Sequence, residues 1–448
     1  MRRSQASPTK VAILQTVNLH LLVFGLGCIY GMTGATLIDL GEGYSTTSTT
    51  VSFIITTRGL GSILLCLLAG TVFRFFNMQQ VMILSLIVLA IGEGATPLLG
   101  SLTACHICTF LVGGGIGLVE AGLNFWIFAI WKEKSGPIFQ LLNFCSGFGG
   151  VASPLLAAPF LKAVEIPVNV SMAEPPETGI PLPAEVTRVF IPYLMVGGVF
   201  AVAAILFIAS FVMDRSNIGV SDAEANDSCC SRRLQQLMIA NFCFYALANV
   251  SLEQTYVSML ALFVVQHLGF SKSNSVYLSA VFWTFFTASR VVATIASFKM
   301  SPHSMLVVSH ALVLLPAGAM CLFVESATEV IWICTAVLGF GASPLFPSSF
   351  THLQQYVHLS QSHSAMIMMC VCIGAMLPPV LVGPFIDDRP IAFVYVIFAL
   401  AVLSATAFVT SLILKQGKGM RPSMMRKQSP SGVAEETSSD TKTKSVRL

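Results

Sequence analysis

The sequence predicts an all-α multi-pass membrane protein, with twelve transmembrane helices arranged as two pseudo-symmetric six-helix bundles. Three observations carry that prediction. Apolar residues make up 55% of the chain and charged residues only 10%, against roughly a quarter charged in soluble domains. Twelve stretches approach or exceed the roughly twenty residues that a spanning helix needs, and basic residues gather on one side of them. A short motif also recurs at a fixed offset in the two halves.

The segments run 12–39, 51–73, 78–100, 105–131, 137–161, 189–213, 236–264, 274–298, 303–324, 328–350, 362–386 and 390–414. The first is longer than the apolar region of a cleaved leader, and no small-residue cleavage site precedes the next span, so it is expected to be retained. This division makes 1–11 a cytosolic N-terminus, 12–213 and 236–414 the two bundles, and 214–235 a polar cytosolic linker. Residues 415–448 are basic, then rich in Ser and Thr with few large apolar side chains, which reads as a disordered cytosolic tail.

Lys and Arg set the orientation. With the N-terminus inside, Arg2, Arg3, Lys10, Arg74, Lys132, Lys134, Arg215, Arg232, Arg233, Lys299 and the tail face the cytosol. Only Lys162, Arg188, Lys272 and Arg389 face outward. Both termini are therefore expected to be cytosolic, and the plasma membrane is the expected location. The outward loop 162–188 carries the sequon Asn169-Val170-Ser171, so Asn169 is an expected glycosylation site. The sequons at Asn226 and Asn249 fall in the cytosolic linker and inside a helix, and should stay unmodified.

Shifted by 225 positions, FGGVASPLLAAPFL at 148–161 lies over IGAMLPPVLVGPFI at 373–386. Gly149, Pro154, Leu156, Pro159 and Phe160 meet Gly374, Pro379, Leu381, Pro384 and Phe385, and Arg74 meets Lys299. Parallel repeats of this kind place a solute site near the bilayer midplane between the halves. Prolines at Pro344, Pro347, Pro378, Pro379 and Pro384 mark bends in the second half.

Other classes find little support. There is no zinc-ligand spacing, no phosphate-binding Gly-Lys loop and no nucleophile elbow, so neither an enzyme nor a cofactor is expected. Cys105 and Cys108 flank His106 without a second ligand pair, and no metal is expected there. Cysteines inside the apolar segments act as small hydrophobes. The net charge of +3 gives no case for nucleic acid.

The candidate site is read from polar residues inside the spans. Such residues usually line a polar cavity or meet a partner, because a central charge costs about 2.5–3.5 kcal/mol on insertion scales. Glu120 and Asn124 are one turn apart on the fourth segment, with Trp126 nearby; Gln140 and Asn143 share a face of the fifth. Carboxylates accept, amides donate and accept, and aromatic rings cover the apolar face of a sugar. On the seventh segment Asn241, Tyr245, Asn249 and Glu253 recur every fourth residue, with Gln254 alongside. Amides at such positions also serve as interhelical ties. Arg58 and Arg290 are the intramembrane cations, and each is expected to find a carboxylate among Glu93, Glu120 and Glu253.

The strings VEAGLN, WKEKSGP, FWTFFTASR at 282–290 (which holds Trp283) and MSPHSMLVVSH at 300–310 resemble the sodium-dependent glucose transporter group of the major facilitator superfamily. The chain also resembles the orphan major facilitator domain proteins that neighbour this group and, more distantly, the bacterial fucose permeases, over roughly 12–414. The resemblance implies a monosaccharide carrier coupled to sodium, or to protons as in the fucose permeases. It also implies site roles for Glu120, Asn124 and Asn143. The signature G-x-x-x-D-R after the second helix reads Gly70-Thr71-Val72-Phe73-Arg74-Phe75, without its acid.

The expected function is thus alternating-access transport of a hexose such as glucose, by a monomer in a lipid bilayer, with Na+ or H+ as coupling cation. The expected solute ligands are Glu120, Asn124, Trp126, Asn143, Asn249, Glu253, Gln254 and Trp283, with Arg58, Arg290 and Glu93 in charge pairing or coupling. A carrier of another metabolite and a non-transporting sensor of the same fold are the rival readings. The shift of 225 lays Glu120 over Leu345 and Asn124 over Ser349, so the acid stands outside the repeated frame.

Overall fold

Hydroxyl and amide side chains start several of the helices. Thr47 accepts from the Thr50 amide, Asn77 from Gln79, Ser271 from Asn274 and Ser301 from Ser304. Each satisfies an amide that the first helical turn leaves open. The computed structural model describes residues 8–131, 135–161, 188–215, 232–297, 299–357 and 361–416. Among these it contains helices and no strand.

The first half holds α1 (Pro8–Gly43), α2 (Ser48–Phe75), α3 (Met78–Ala95), α4 (Leu102–Trp131), α5 (Ser135–Ala157) and α6 (Phe190–Met213). The second holds α7 (Arg232–Gln266), α8 (Lys272–Ala296), α9 (Pro302–Phe323), α10 (Val330–Ala342), α11 (Leu345–Gln354), α12 (Gln361–Met376), α13 (Pro378–Leu381), α14 (Gly383–Ile386) and α15 (Ala392–Gln416). Among the described residues, eleven helical spans are long and apolar enough to cross a membrane, with α10 and α11 forming one of them.

The span expected at 362–386 is present but broken. It runs as α12, α13 and α14 in succession. Consecutive prolines at Pro378 and Pro379 remove two backbone donors and clash with the preceding turn, so the helix cannot continue. At the position of the Pro378–Pro379 pair the first half has Ser153 and Pro154, and α5 contains Pro154 without interruption.

Packing repeats between the halves. α1 packs on α5, α2 on α4 and α3 on α6; the second half matches these with α7 on α12, α8 on α10 and α9 on α15. The repeated glycines show how close the match is. A Cβ on Gly149 would lie 2.1 Å from the Phe24 carbonyl oxygen of α1, and one on Gly374 would lie 2.8 Å from the Leu247 carbonyl of α7. In each half the same glycine lets its helix close on the first helix of that half, a contact type that membrane helices favour because lipid offers no hydrophobic drive to associate.

The halves meet through α1 with α7 and α8, α2 with α12–α14, and α5 with α8. These crossings lie in the half of the bundle away from the start of α1. At that end Lys272 Nζ reaches Asp39 Oδ1 at 3.3 Å and Glu42 Oε1 at 2.8 Å. Thr49 Oγ1 donates to the Gly383 carbonyl at 2.7 Å and also to Asp387 Oδ2. Lys272 stands at the end of the bundle away from the start of α1, and its side chain is only 5% exposed, because two acids of α1 draw it into the seam. Asn169, most of the linker 214–235 and nearly all of the tail 415–448 lie outside the described residues.

Gly149→Val is expected to force α1 and α5 apart, at a cost of about 1–3 kcal/mol typical of overpacking. Thermal unfolding in detergent should show it, whereas Gly198→Ala, where an added Cβ meets nothing within 4 Å, should leave the midpoint nearly unchanged.

Candidate functional site

At mid-bundle, polar side chains from both halves are only partly buried, while the far end is closed by the crossing contacts. Tyr30, Arg58, Glu120, Asn143, Glu253, Gln254 and Arg290 are all of intermediate exposure. Groups exposed at that depth face a cavity, and with the Lys272 end shut, the cavity opens toward the end where α1 and α7 begin.

One wall comes from α1, α2, α4 and α5. Tyr30 Oη donates to Glu120 Oε1 at 3.0 Å. This hydrogen bond holds one carboxyl oxygen in place. Arg58 Nη1 donates to Thr33 Oγ1 at 2.8 Å, and its guanidinium carbon stands 5.9 Å from the centroid of the Tyr30 ring. Thr33 in turn donates to the Ile29 carbonyl at 2.7 Å, which orients its lone pairs toward the arginine. Asn143 lies on α5 with the same partial exposure, and it has partners of its own. The side chains of Asn124 and Gln140 are outside the described set.

The other wall comes from α7 and α8. Glu253 and Arg290 act on each other electrostatically without meeting within 4 Å. The Arg290 guanidinium lies 4.9 Å from the Phe286 ring centroid, a cation–π distance, and its Nε has no hydrogen-bond partner. Neither intramembrane arginine therefore forms the direct carboxylate pair expected of it. Aromatic rings and hydroxyls hold the guanidinium groups instead, and the acids stay beyond contact.

Trp283, Thr287 and Arg290 are spaced three and four residues apart, so they share one face of α8. That face meets α5. A Cβ on Gly150 would lie 2.5 Å from the Trp283 indole, and one on Gly147 would lie 2.2 Å from Thr287 Oγ1. Trp283 is thus seated in the seam itself, with its Nε1 unpartnered.

Two expected ligands sit away from the cavity. Trp126 is 0% exposed and packs edge-on against Phe207 of α6 at 5.5 Å, inside the first half. Six residues past Glu120, it has turned about 240° around the helix, on to the side facing α6. Asn249 is 1% exposed, and neither of its side-chain polar atoms has a hydrogen-bond partner. The four-residue recurrence on α7 explains why that stripe divides. Each step of four advances about 40° past a full turn, so Asn241 and Glu253 point about 120° apart. Asn241 accordingly donates to the Ala407 carbonyl of α15, while Glu253 faces the cavity. Glu93, 3% exposed, is inside the first half. Tyr30 and Thr33, which order the first wall, are absent from the ligands expected from sequence, although both are polar residues deep in the first segment.

The arrangement offers carboxylates and amides to a neutral polyhydroxyl solute, and two carboxylates plus hydroxyl oxygens to a small cation. The model of the Major Facilitator Superfamily matches residues 19–379. A mouse protein described as sodium-dependent glucose transporter 1A is 24% identical over 376 residues, covering 82% of this chain and 88% of its own. Major facilitator superfamily domain-containing protein 4A of Xenopus tropicalis is 22% identical, covering 89% and 91%. Among solved structures, the E. coli fucose:proton symporter FucP superposes with a TM-score of 0.59 at 14% identity, over 90% of this chain and 99% of that one. The likeness to the solved structure concerns the fold alone.

Accessibility tests the cavity directly. In a cysteine-free background, Gln254→Cys should react with a hydrophilic thiol reagent applied from the side of the N-terminus, and Trp126→Cys should not. Equal labelling of the two positions would contradict the assignment of the walls.

Proposed function

The chain belongs to the Major Facilitator Superfamily, whose model spans most of its length, and from that premise we propose that it carries a monosaccharide such as glucose across a membrane with sodium as the coupling ion. It is a multi-pass membrane transporter; the solute, the ion and the plasma membrane as its location belong to the proposal, as does the cytosolic placement of both termini. The single observation that carries the reading is the Tyr30–Glu120 pair at 3.0 Å on one wall, facing Glu253 and Gln254 on the other. A hexose presents hydroxyls around its ring, and each donates to a carboxylate or exchanges hydrogen bonds with an amide. The names of the glucose-transporting relatives support the same solute class.

The two walls belong to different halves, so a solute that touches both ties the halves together. Closure at the Lys272 end and opening at the other is one of the two states that alternating access requires. Moving to the opposite state means separating Lys272 from Asp39 and Glu42, and Thr49 from Asp387. Because Lys272 and Asp39 are deeply buried, truncating one partner leaves the other uncompensated and weakens the closed end.

Uptake of labelled sugars into proteoliposomes, with sodium and pH varied independently, tests the reading. Saturable glucose uptake that rises with an inward sodium gradient is expected. Glu120→Gln should lower uptake at least about ten-fold, the scale of losing a hydrogen bond to a charged group. Absence of counterflow exchange for every hexose would refute the proposal. Lys272→Ala should shift the population toward opening at the far end by about ten-fold, a fraction of what a fully buried pair would give. Labelling of cysteines placed along the α1–α8 seam, with reagent applied from that side, measures the shift.

A further inference from the structure

A second cavity lies at the same end of the bundle as the mouth of the first, but within one half. Phe242 of α7, Leu306 of α9, His352 of α11, Tyr356 just beyond it, and Phe408 and Lys415 of α15 line it. Every lining residue belongs to the second half, and none is shared with the two walls of the central cavity. Asn241 ties α7 to α15 at its edge, donating to the Ala407 carbonyl at 3.0 Å.

Three groups able to carry positive charge converge here. Lys415 Nζ stands 4.8 Å from the centroid of the Tyr356 ring, and the His352 ring meets the same tyrosine at 5.3 Å. His303, exposed at the start of α9, is 6.1 Å from His352, and both imidazoles pack against Phe408. Among the described residues no carboxylate reaches any of the three within 4 Å. His352 is 7% exposed, and its Nδ1 has no hydrogen-bond partner. A buried polar atom left open in this way calls for one. Helices α7 and α9 begin at this end while α11 and α15 finish there, so their dipoles largely offset one another. The side chains therefore set the sign of the site, and it is positive.

The rest of the lining is mostly apolar, with Met238 and Leu353 beside Phe242, Leu306 and Phe408. A free ion has no use for such walls. Next to the cavity, α9 carries Val307 and Val308 on its exposed surface, and α15 carries Val409 and Ile413. Outer faces of that kind meet acyl chains in a membrane.

We propose that this cavity is a second binding site, taking the phosphate group of an anionic lipid whose acyl chains lie along α9 and α15. Lys415 supplies the charge, and His352 and Tyr356 donate to the phosphate oxygens. Basic pockets between membrane helices hold lipid head groups in this manner. The site is independent of the solute that the central cavity carries.

The test is lipid binding to the full chain in detergent, read by native mass spectrometry. Dioleoyl phosphatidic acid should bind about ten-fold more tightly than dioleoyl glycerol, which lacks the phosphate. Lys415→Gln should abolish that preference, Lys415→Arg should keep it, and His352→Gln should lower it. Arg74 is an exposed basic residue at the same end of the first half. Its substitution, Arg74→Gln, should change binding by less than about two-fold, because a remote surface charge is screened. Competition with inorganic phosphate separates the two sources of the group. Displacement of the lipid only at large excess supports a lipid head group, whereas equal affinity for the free ion overturns the part assigned to the acyl chains. If His352→Gln fails to fold, the two Lys415 variants decide alone. Equal binding of phosphatidic acid and dioleoyl glycerol, or an equal loss in Arg74→Gln and Lys415→Gln, would overturn the site.

Discussion

A charge in the middle of a bilayer has to be matched by water, by a partner or by an opposing dipole. Four charged side chains at mid-bundle, Arg58, Glu120, Glu253 and Arg290, govern how this molecule is arranged. All four are kept partly exposed to one cavity, which leaves the lipid-facing surfaces to residues such as Leu60, Leu64 and Leu67. The cavity in turn requires two walls held apart at one end and together at the other. Tight crossings away from the start of α1 meet that need: Gly34 of α1 packs on the Val257 carbonyl of α7, and Gly59 of α2 on Met376. The charge distribution and the shape of the bundle answer one constraint.

The repeat builds the frame and departures from it build the site. Gly149 and Gly374 perform the same closure in the two halves, and helix pairs recur in the same order. Where the copies differ, the consequences are local. Pro154 leaves α5 whole, while Pro378 and Pro379 split the corresponding span into α12, α13 and α14. The short pieces place the Gly383 carbonyl and Asp387 against Thr49, part of the closed end. Glu120 also falls outside the repeat, and Tyr30 on the neighbouring helix holds it. A symmetric scaffold with different side chains at equivalent positions gives each half a different chemical surface toward the centre of the bundle.

Much of the frame could be read from the residues, because hydropathy and proline act locally along the chain. Span positions, the offset of 225 and the weight of Glu120 all follow from periodicity and cost. What could not be read depends on rotation and on distance in sequence. Trp126 is six residues beyond Glu120 and faces α6, a matter of helix phase that composition does not reveal. The stripe from Asn241 to Glu253 looks continuous as text, but it winds around α7 until only its later part meets the cavity. Lys272 resembles any loop lysine until Asp39, 233 residues away, closes on it. The arginines find rings and hydroxyls where a pairing rule asks for carboxylates.

Dividing the ligands between two halves has a thermodynamic consequence. A solute shifts the balance between states only by the difference in its affinity for them. If every contact came from one wall, the solute would bind the open and closed arrangements equally and move nothing. Glu120 belongs to α4 and Glu253 to α7, so on the proposed function both engage fully only when the halves draw together around the solute. The far end then holds a cluster whose separation costs free energy, with Lys272 set between two acids. Between the two ends, α5 and α8 cross closely at Gly150 and Trp283. On the proposed function, binding at the centre and release at the far end are coupled through such packed crossings.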